Sequence, residues 1–282
     1  HGRAGEGKQD KKGDNRGRDA CFRNGPAEVG KALNDGLSAL ESFINYEKET
    51  NYSYSANYFK LARVRTLLKY LHNPGKSIKY IHITGTKGKG STAVFAAELL
   101  GACGLKTGLY TSPHLVSCAE RISAGGRQIA HAGITRLMRR LMPLIRRLEK
   151  KTSYGSPTFF EVLTVLAFMH FAEKDVDAAV VEVGLGGRLD ATNVINADVC
   201  VLTPVSFDHT AELGNTLAKI ASEKAHIIKK DSDVVVARQD RGARKVIAAF
   251  ARGKNARLRE AGRAFTYRVL SADSRGLVFN FK

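Results

Sequence analysis

Two hydrophobic periodicities divide the chain. Residues 27–48 place Val29, Leu33, Leu37, Leu40 and Ile44 at helical spacing, and a second helix is expected over residues 58–71, stopped by the Asn73-Pro74-Gly75 turn. The pattern then changes. KYIHIT (residues 79–84) reads as a strand, followed by a glycine-rich loop and a helix to about Cys103. Strands are expected at 106–111, 176–183, 197–203 and 233–237, with helices at 157–173 and 216–229 between them. After Arg257 the chain changes to short β-like segments that run to Lys282. Strands alternating with helices predict an α/β fold, a mostly parallel sheet with helices on both faces. Residues 1–24 show no periodicity and read as a flexible tail carrying both charge signs, which leaves residues 25–282 for the folded domain.

Composition narrows the class. Hydrophobic residues make up 43%, enough for a core, which excludes disorder for the chain as a whole. No window approaches the roughly 20 apolar residues of a membrane span, and the densest, residues 162–172, is broken by His170. The first residues lack the apolar region of a secretory signal. Cys21, Cys103, Cys118 and Cys200 are too dispersed to suggest a zinc site or a disulfide framework, so a reducing cytoplasm is the economical location.

The formal charge of +18 raises a nucleic-acid reading. The excess lies in two stretches read as helical. Residues 136–151 carry seven basic side chains against Glu149, and residues 238–268 carry ten against Asp240 and Glu260. Aromatic residues that would stack on bases are nearly absent there, so nucleic acid is not the expected partner. A solvated basic face accounts for the charge, and attraction of a polyanionic ligand stays open.

Ligands of open α/β sheets gather at the carboxyl ends of strands, and four such ends carry candidate chemistry. GTKGKGST (residues 85–92) lies between a strand and a helix. Gly85, Thr86, Lys87, Gly88, Lys89, Gly90, Ser91 and Thr92 would wrap phosphates with backbone N–H groups, Lys89 reaching the outer phosphates. The pattern departs from G-x4-G-K-S/T, because Gly90 separates the lysine from Ser91. VEVGLGGRLDATN (residues 181–193) puts Glu182 at the end of a buried strand, where Mg²⁺ beside a nucleotide would offset its desolvation. A nicotinamide fingerprint fails there, since Leu189 stands where the third glycine belongs. Thr111-Ser112 and Asp208-His209 follow two further strands, and Lys224 lies on a helix soon after.

In this order, GTKGKGST, LYTSPHL (109–115), ERI (120–122), TFFEVLT (158–164), VEVGLGGRLDATN, DHTAELGNT (208–216) and SEKAHIIK (222–229) resemble the folylpolyglutamate synthase and dihydrofolate synthase family within the Mur ligase superfamily. The resemblance implies a P-loop NTPase-like Mur ligase central domain and ATP-dependent addition of L-glutamate to a folate carboxylate through an acyl phosphate. It also implies ATP in the Lys89 loop, Mg²⁺ at Ser112 and Glu182, and a second Mg²⁺ at His209. Lys224 would be a carbamylated lysine, with Lys89, His209 and Lys224 acting in catalysis. Thr158, Phe160, Asp190 and Ala191 would line a pterin site. Ser222 and His226 depart from the family's usual AEKAGIIK. Small-molecule substrates, no membrane and a monomer are expected. The family's smaller C-terminal glutamate-ligase domain is expected to be absent from these residues, and with it full turnover. Dihydrofolate synthase activity, another Mur-type amide ligase and a non-catalytic nucleotide-binding protein stay open as alternatives.

Overall fold

The strand expected over residues 79–84 forms with those bounds as β1 (Lys79–Thr84). The structure is a computed structural model that describes residues 36–48, 55–56, 58–274 and 276–282. The expected tail, Cys21 and the start of the first expected helix lie outside the described residues. β1 becomes the middle of a sheet because its flanks bury both faces: Tyr80 and Ile83 are buried, and His82 and Thr84 are fully enclosed.

Parallel neighbours surround it. β5 (Ala178–Glu182) and β6 (Val199–Leu202) pair with β1 on either side. β2 (Thr107–Tyr110) adds to β5, and β7 (Asp233–Val236) and β8 (Arg257–Glu260) extend the other edge, all in parallel. β3 (Ile122–Ala124) and β4 (Arg127–Gln128) close the β2 edge as an antiparallel hairpin that the periodicity did not predict. The order is β4-β3-β2-β5-β1-β6-β7-β8. Every residue of β5 is buried, as expected of a strand covered on both faces.

Helices cover the two faces unequally. α3 (Lys89–Ala102) packs Ala93 and Ala97 against Ile83 and Val180 on one face. The other face carries α2 (Leu61–Tyr70), α5 (Phe159–Glu173), α7 (Leu217–Ala225) and α8 (Arg241–Gly253) in one continuous core. α5 is apolar all round and buried nearly throughout, sheathed by the amphipathic α4 (His131–Lys151). Among the described residues no helix is long and apolar enough to cross a membrane.

Three expectations need correction. The helix expected over 27–48 is described only from α1 (Gly36–Glu41) and ends there. Beyond it the Ile44 carbonyl accepts a bond from Phe159 N at 2.9 Å, so tertiary pairing outweighs continued helical spacing. α7 stops at Ala225 rather than Lys229, and His226 turns its ring back to the Ser222 carbonyl. The basic stretch 238–268 is helical only in α8. Its remainder forms β8 and enters a separate antiparallel hairpin of β9 (Tyr267–Asp273) and β10 (Gly276–Phe281). Much of its charge is paired: Arg244 bonds Glu260, and Arg257 bonds Asp233. On α4, Arg136 likewise pairs with Glu173, while Arg147 lies 4.5 Å over the Tyr70 ring.

Candidate active site

Register levels the strand ends. Ile83 pairs with Glu182, Thr84 with Leu202 and Tyr110 with Val181, so Gly85, Ser112, Glu182 and Thr203 emerge at one edge. The phosphate-type loop begins with Gly85 at φ +146°, where a Cβ would fall 1.8 Å from Thr203 Oγ1. Thr86 is pinned to the chain after β6, its N–H donating to Pro204 O at 2.9 Å and its hydroxyl to Ser206 O at 3.1 Å. Gly88, left-handed at φ 79°, precedes α3 and brings no capping side chain. The Thr92 hydroxyl turns back to the Gly88 carbonyl at 2.7 Å. The first N–H groups of α3 therefore lack a side-chain cap, and this end of the helix can receive an anion.

Glu182 stands against this turn. It is 3% exposed, and a Cβ on Gly90 would lie 3.5 Å from its Oε2. That oxygen accepts the Ser112 N–H at 3.0 Å, just before the cis Ser112-Pro113 bond. Burial pushes its carboxyl above the usual range, while the Ser112 N–H and the Lys89 charge pull the other way. A carboxylate so placed is short of positive charge.

Lys224 is also buried, on the last turn of α7, and donates to the Gly85 carbonyl at 2.8 Å. Burial, aided by the Lys89 charge, lowers its pKa to about 8. His209 caps the short helix α6 (Thr210–Leu213) from a left-handed conformation and is half exposed, 3.8 Å from Asp208. Among the described residues no three His, Cys, Asp or Glu side chains converge as a ready metal cluster.

A cavity of about 600 Å³ opens beside these parts, and Glu182 and Lys224 are not among the residues that line it. Lys89, Ser112 and His209 line it together with Thr158, Phe160, Asp190 and Ala191. Thr158 is the N-cap of α5 in a reciprocal box with Glu161, accepting Glu161 N at 3.2 Å and donating its own N–H at 2.9 Å. The Phe160 ring lies on the backbone of Gly184, where a Cβ would come within 2.7 Å of it. Asp190 caps the turn over Ala191–Val194 and is 5% exposed.

Other wall residues carried no sequence signal as site residues. Asn45, Tyr46 and Glu47 enter from the chain after α1. Glu47 is held by Arg121, which is 1% exposed, bonds it through both terminal nitrogens and donates Nε to His114 Nδ1 at 2.8 Å. Arg121 thereby ties this wall to the LYTSPHL loop, while Glu120 accepts the N–H groups of Leu115, Val116 and Ser117. Glu161 lines the cavity too, paired with Arg63 at 3.1 Å, and burial raises its pKa to about 7. Glu120, Arg121 and Glu161 lie in ERI and TFFEVLT, which the sequence offered only as parts of the family resemblance.

The chain resembles known proteins in sequence and in fold. The chain is 42% identical over 178 residues to a dihydrofolate synthase/folylpolyglutamate synthase of Bacillus subtilis, covering 63% of this chain and 41% of that protein. A solved Mycobacterium tuberculosis folylpolyglutamate synthase (FPGS) complexed with ADP and AMPPCP matches at TM-score 0.75 and 40% identity, over 79% of this chain and 52% of that one. An FPGS–AMPPCP–folate complex matches at TM-score 0.79 and 34% identity, over 88% and 58%. The chain thus spans about half the length of these relatives. Residues 83–273 match the Mur ligase middle domain, and the chain belongs to the Mur ligase family.

Proposed function

We propose that this chain is the nucleotide-binding part of an ATP-dependent ligase that joins L-glutamate to a folate carboxylate. The observation that carries the reading is the single cavity shared by the α3 N-terminus, Lys89, Ser112 and the expected acceptor residues Thr158, Phe160, Asp190 and Ala191, with Glu182 buried against the Lys89 turn. Relatives solved with AMPPCP, a methylene-bridged ATP analogue, and with folate support it.

In this reading the loop N–H groups of residues 85–92 and Lys89 hold the ATP phosphates. A hydroxyl and a buried carboxylate short of cations, from Ser112 and Glu182, fit a hard cation completed by phosphate oxygens, and His209 would serve a second. Bound there, Mg²⁺ would neutralise charge on the transferring phosphoryl group. The cavity wall aligns the acceptor carboxylate with the γ-phosphate. Its oxygen bonds to phosphorus as the bond to ADP breaks, giving an acyl phosphate. The glutamate amine then displaces phosphate and loses a proton. Lys224, its pKa lowered by burial, is partly neutral near pH 8, the form that reacts with CO₂ to become a carbamate. The free cysteines Cys103, Cys118 and Cys200 suit a reducing cytoplasm.

The test is calorimetric titration of the chain with AMPPCP and Mg²⁺. A lost lysine–phosphate contact of about 1.5–3 kcal/mol predicts roughly ten- to hundredfold weaker binding by Lys89→Ala with the fold intact. Wild-type affinity in folded Lys89→Ala would refute the loop assignment. Glutamate-dependent ADP release, compared with dihydropteroate and tetrahydrofolate as acceptors, separates the two folate ligase activities.

A further inference from the structure

The chain that follows β6 runs as a rail beside the phosphate-type loop, and a side chain from beyond β7 grips it. The β6–β7 ladder ends where Ala237 N donates to Leu202 O at 3.0 Å. Past that rung Gln239 takes over the pairing. Its Oε1 accepts Val205 N at 2.9 Å, and its Nε2 donates to Thr203 O at 3.0 Å. One primary amide therefore makes both bonds of a further rung, and the two contacts fix which way the amide faces. Thr203 and Val205 are buried, so a carbonyl and an N–H left unmet there would be costly.

The rail in turn carries the loop. Pro204 O accepts Thr86 N at 2.9 Å and, more weakly, Lys87 N at 3.5 Å. The Ser206 backbone meets the Thr86 hydroxyl twice, its N–H donating and its carbonyl accepting, each at 3.1 Å. Pro204 lies between the two residues that Gln239 grips, and Ser206 follows directly. His209 leaves the same stretch three residues later and reaches the cavity. Gln239 itself is not among the residues lining that cavity, so it can act on a ligand only through the rail. The loop contains Gly85 and Gly88, both at positive φ, and glycine imposes no conformation of its own. The loop's shape has to be set from outside.

We propose that Gln239 is a positioning residue for the nucleotide: by clipping Thr203 and Val205 it holds residues 203–206, and through Pro204 and Ser206 it keeps Thr86 and Lys87 set to receive phosphates before the ligand arrives. Ordering the loop in advance lowers the cost of ordering it on binding. The proposal rests on the nucleotide reading of the loop and adds to it a residue outside the cavity.

Hydrogen exchange of the ligand-free chain, followed residue by residue in proton–nitrogen spectra, reads the clip and the loop separately. Val205 N–H and Thr86 N–H are expected to be protected in the wild type. Gln239→Met keeps the length of the side chain and removes both bonds. It should speed exchange at both sites about tenfold or more, while Val183 N–H, bonded to Ile83 O in the middle of the sheet, keeps its wild-type rate. By calorimetry AMPPCP with Mg²⁺ should bind this variant about tenfold or more weakly. Gln239→Glu gives a signature that general loosening cannot. Its carboxylate can accept from Val205 but has no proton for Thr203 O, whereas the protonated acid can make both bonds. A carboxylate facing a carbonyl takes up its proton more readily than a free one. The AMPPCP affinity of Gln239→Glu relative to wild type should therefore be low at pH 8 and recover as the pH falls to about 5, with Gln239→Met low throughout. Glu161, Glu182, His209, Lys224 and Asp240 are common to all these proteins, so the ratio isolates residue 239.

Unprotected Thr86 or Val205 in the wild type, unchanged Thr86 exchange or AMPPCP affinity in folded Gln239→Met, equally faster exchange at Val183, or a Gln239→Glu ratio flat with pH would each overturn the proposal. The wild-type exchange does not depend on any variant folding. If the wild type binds no AMPPCP, the nucleotide reading fails instead, and exchange at Thr86 still decides whether Gln239 holds the loop.

Discussion

Gly85 and Gly88 share one loop and both have positive φ, yet alanine should affect them very differently. At Gly88 (φ 79°) a Cβ meets nothing within 4 Å, so Gly88→Ala costs only the left-handed penalty of about 1–2 kcal/mol. At Gly85 (φ 146°) the Cβ would fall 1.8 Å from Thr203 Oγ1, 2.9 Å from Thr203 Cβ and 3.0 Å from its carbonyl carbon. Backbone strain of about 1–3 kcal/mol then adds to an overpacking cost of about 1–3 kcal/mol, for about 2–6 in all. Thr203 cannot step aside, because its N–H is bonded to the Thr84 carbonyl at 2.8 Å in the ladder that sets the strand ends. Adding Thr203→Ala removes the hydroxyl but leaves the Cβ and carbonyl contacts, so it should restore only part of the loss. Urea unfolding gives the stability change from the midpoint and slope, and AMPPCP titration gives the change in the loop. Gly85→Ala within about 0.5 kcal/mol of Gly88→Ala in both assays would refute the packing argument.

Two further outcomes follow from buried charge. The Glu161 pKa, raised to about 7 by burial from an ordinary 4.5, means that the folded state binds the proton more tightly than the unfolded one. Stability should therefore fall as pH rises from about 4.5 to about 7, by up to about 3 kcal/mol, and Glu161→Gln should flatten that slope in urea midpoints measured at intervals of pH; an unchanged slope would assign it elsewhere. Arg121→Met strips Glu47 of its bidentate partner and unties the Asn45–Glu47 wall; since Glu47 is about one-third exposed, a loss on the order of 2 kcal/mol is expected rather than the full cost of a buried ion. A urea midpoint equal to wild type would show that Arg121 holds nothing together.

Much of the architecture was legible because local signals and tertiary demands agree. β1 has the bounds that KYIHIT implies, and β2, β5, β6 and β7 lie inside their expected ranges, trimmed by a residue or two where pairing ends. Lys89, Ser112 and His209, read from three separate motifs, line one cavity, and Glu182 is buried against Ser112. The β3–β4 hairpin escaped because strands of three and two residues carry too little period to read. The helix after residue 41 was over-extended because Ile44 keeps helical spacing while its carbonyl is taken by α5.

The sequence by itself determined what a short stretch of chain decides: strand and helix periods, the phosphate-type turn, and a family resemblance carried by contiguous motifs. Only the tertiary structure decided what depends on partners far apart in the chain. Glu47 belongs to the cavity because Arg121, 74 residues away, holds it there. Lys224 is buried rather than solvated because the Gly85 carbonyl, 139 residues away, receives it. His82 reads in the sequence as one polar residue in an apolar strand, and its place behind Asp190 exists only once Thr192 is packed against it, 110 residues on. The physical reason is common to all three. Desolvating a polar group is unfavourable unless a partner meets it, and sheet register and helix packing, which no local pattern encodes, decide which partner arrives.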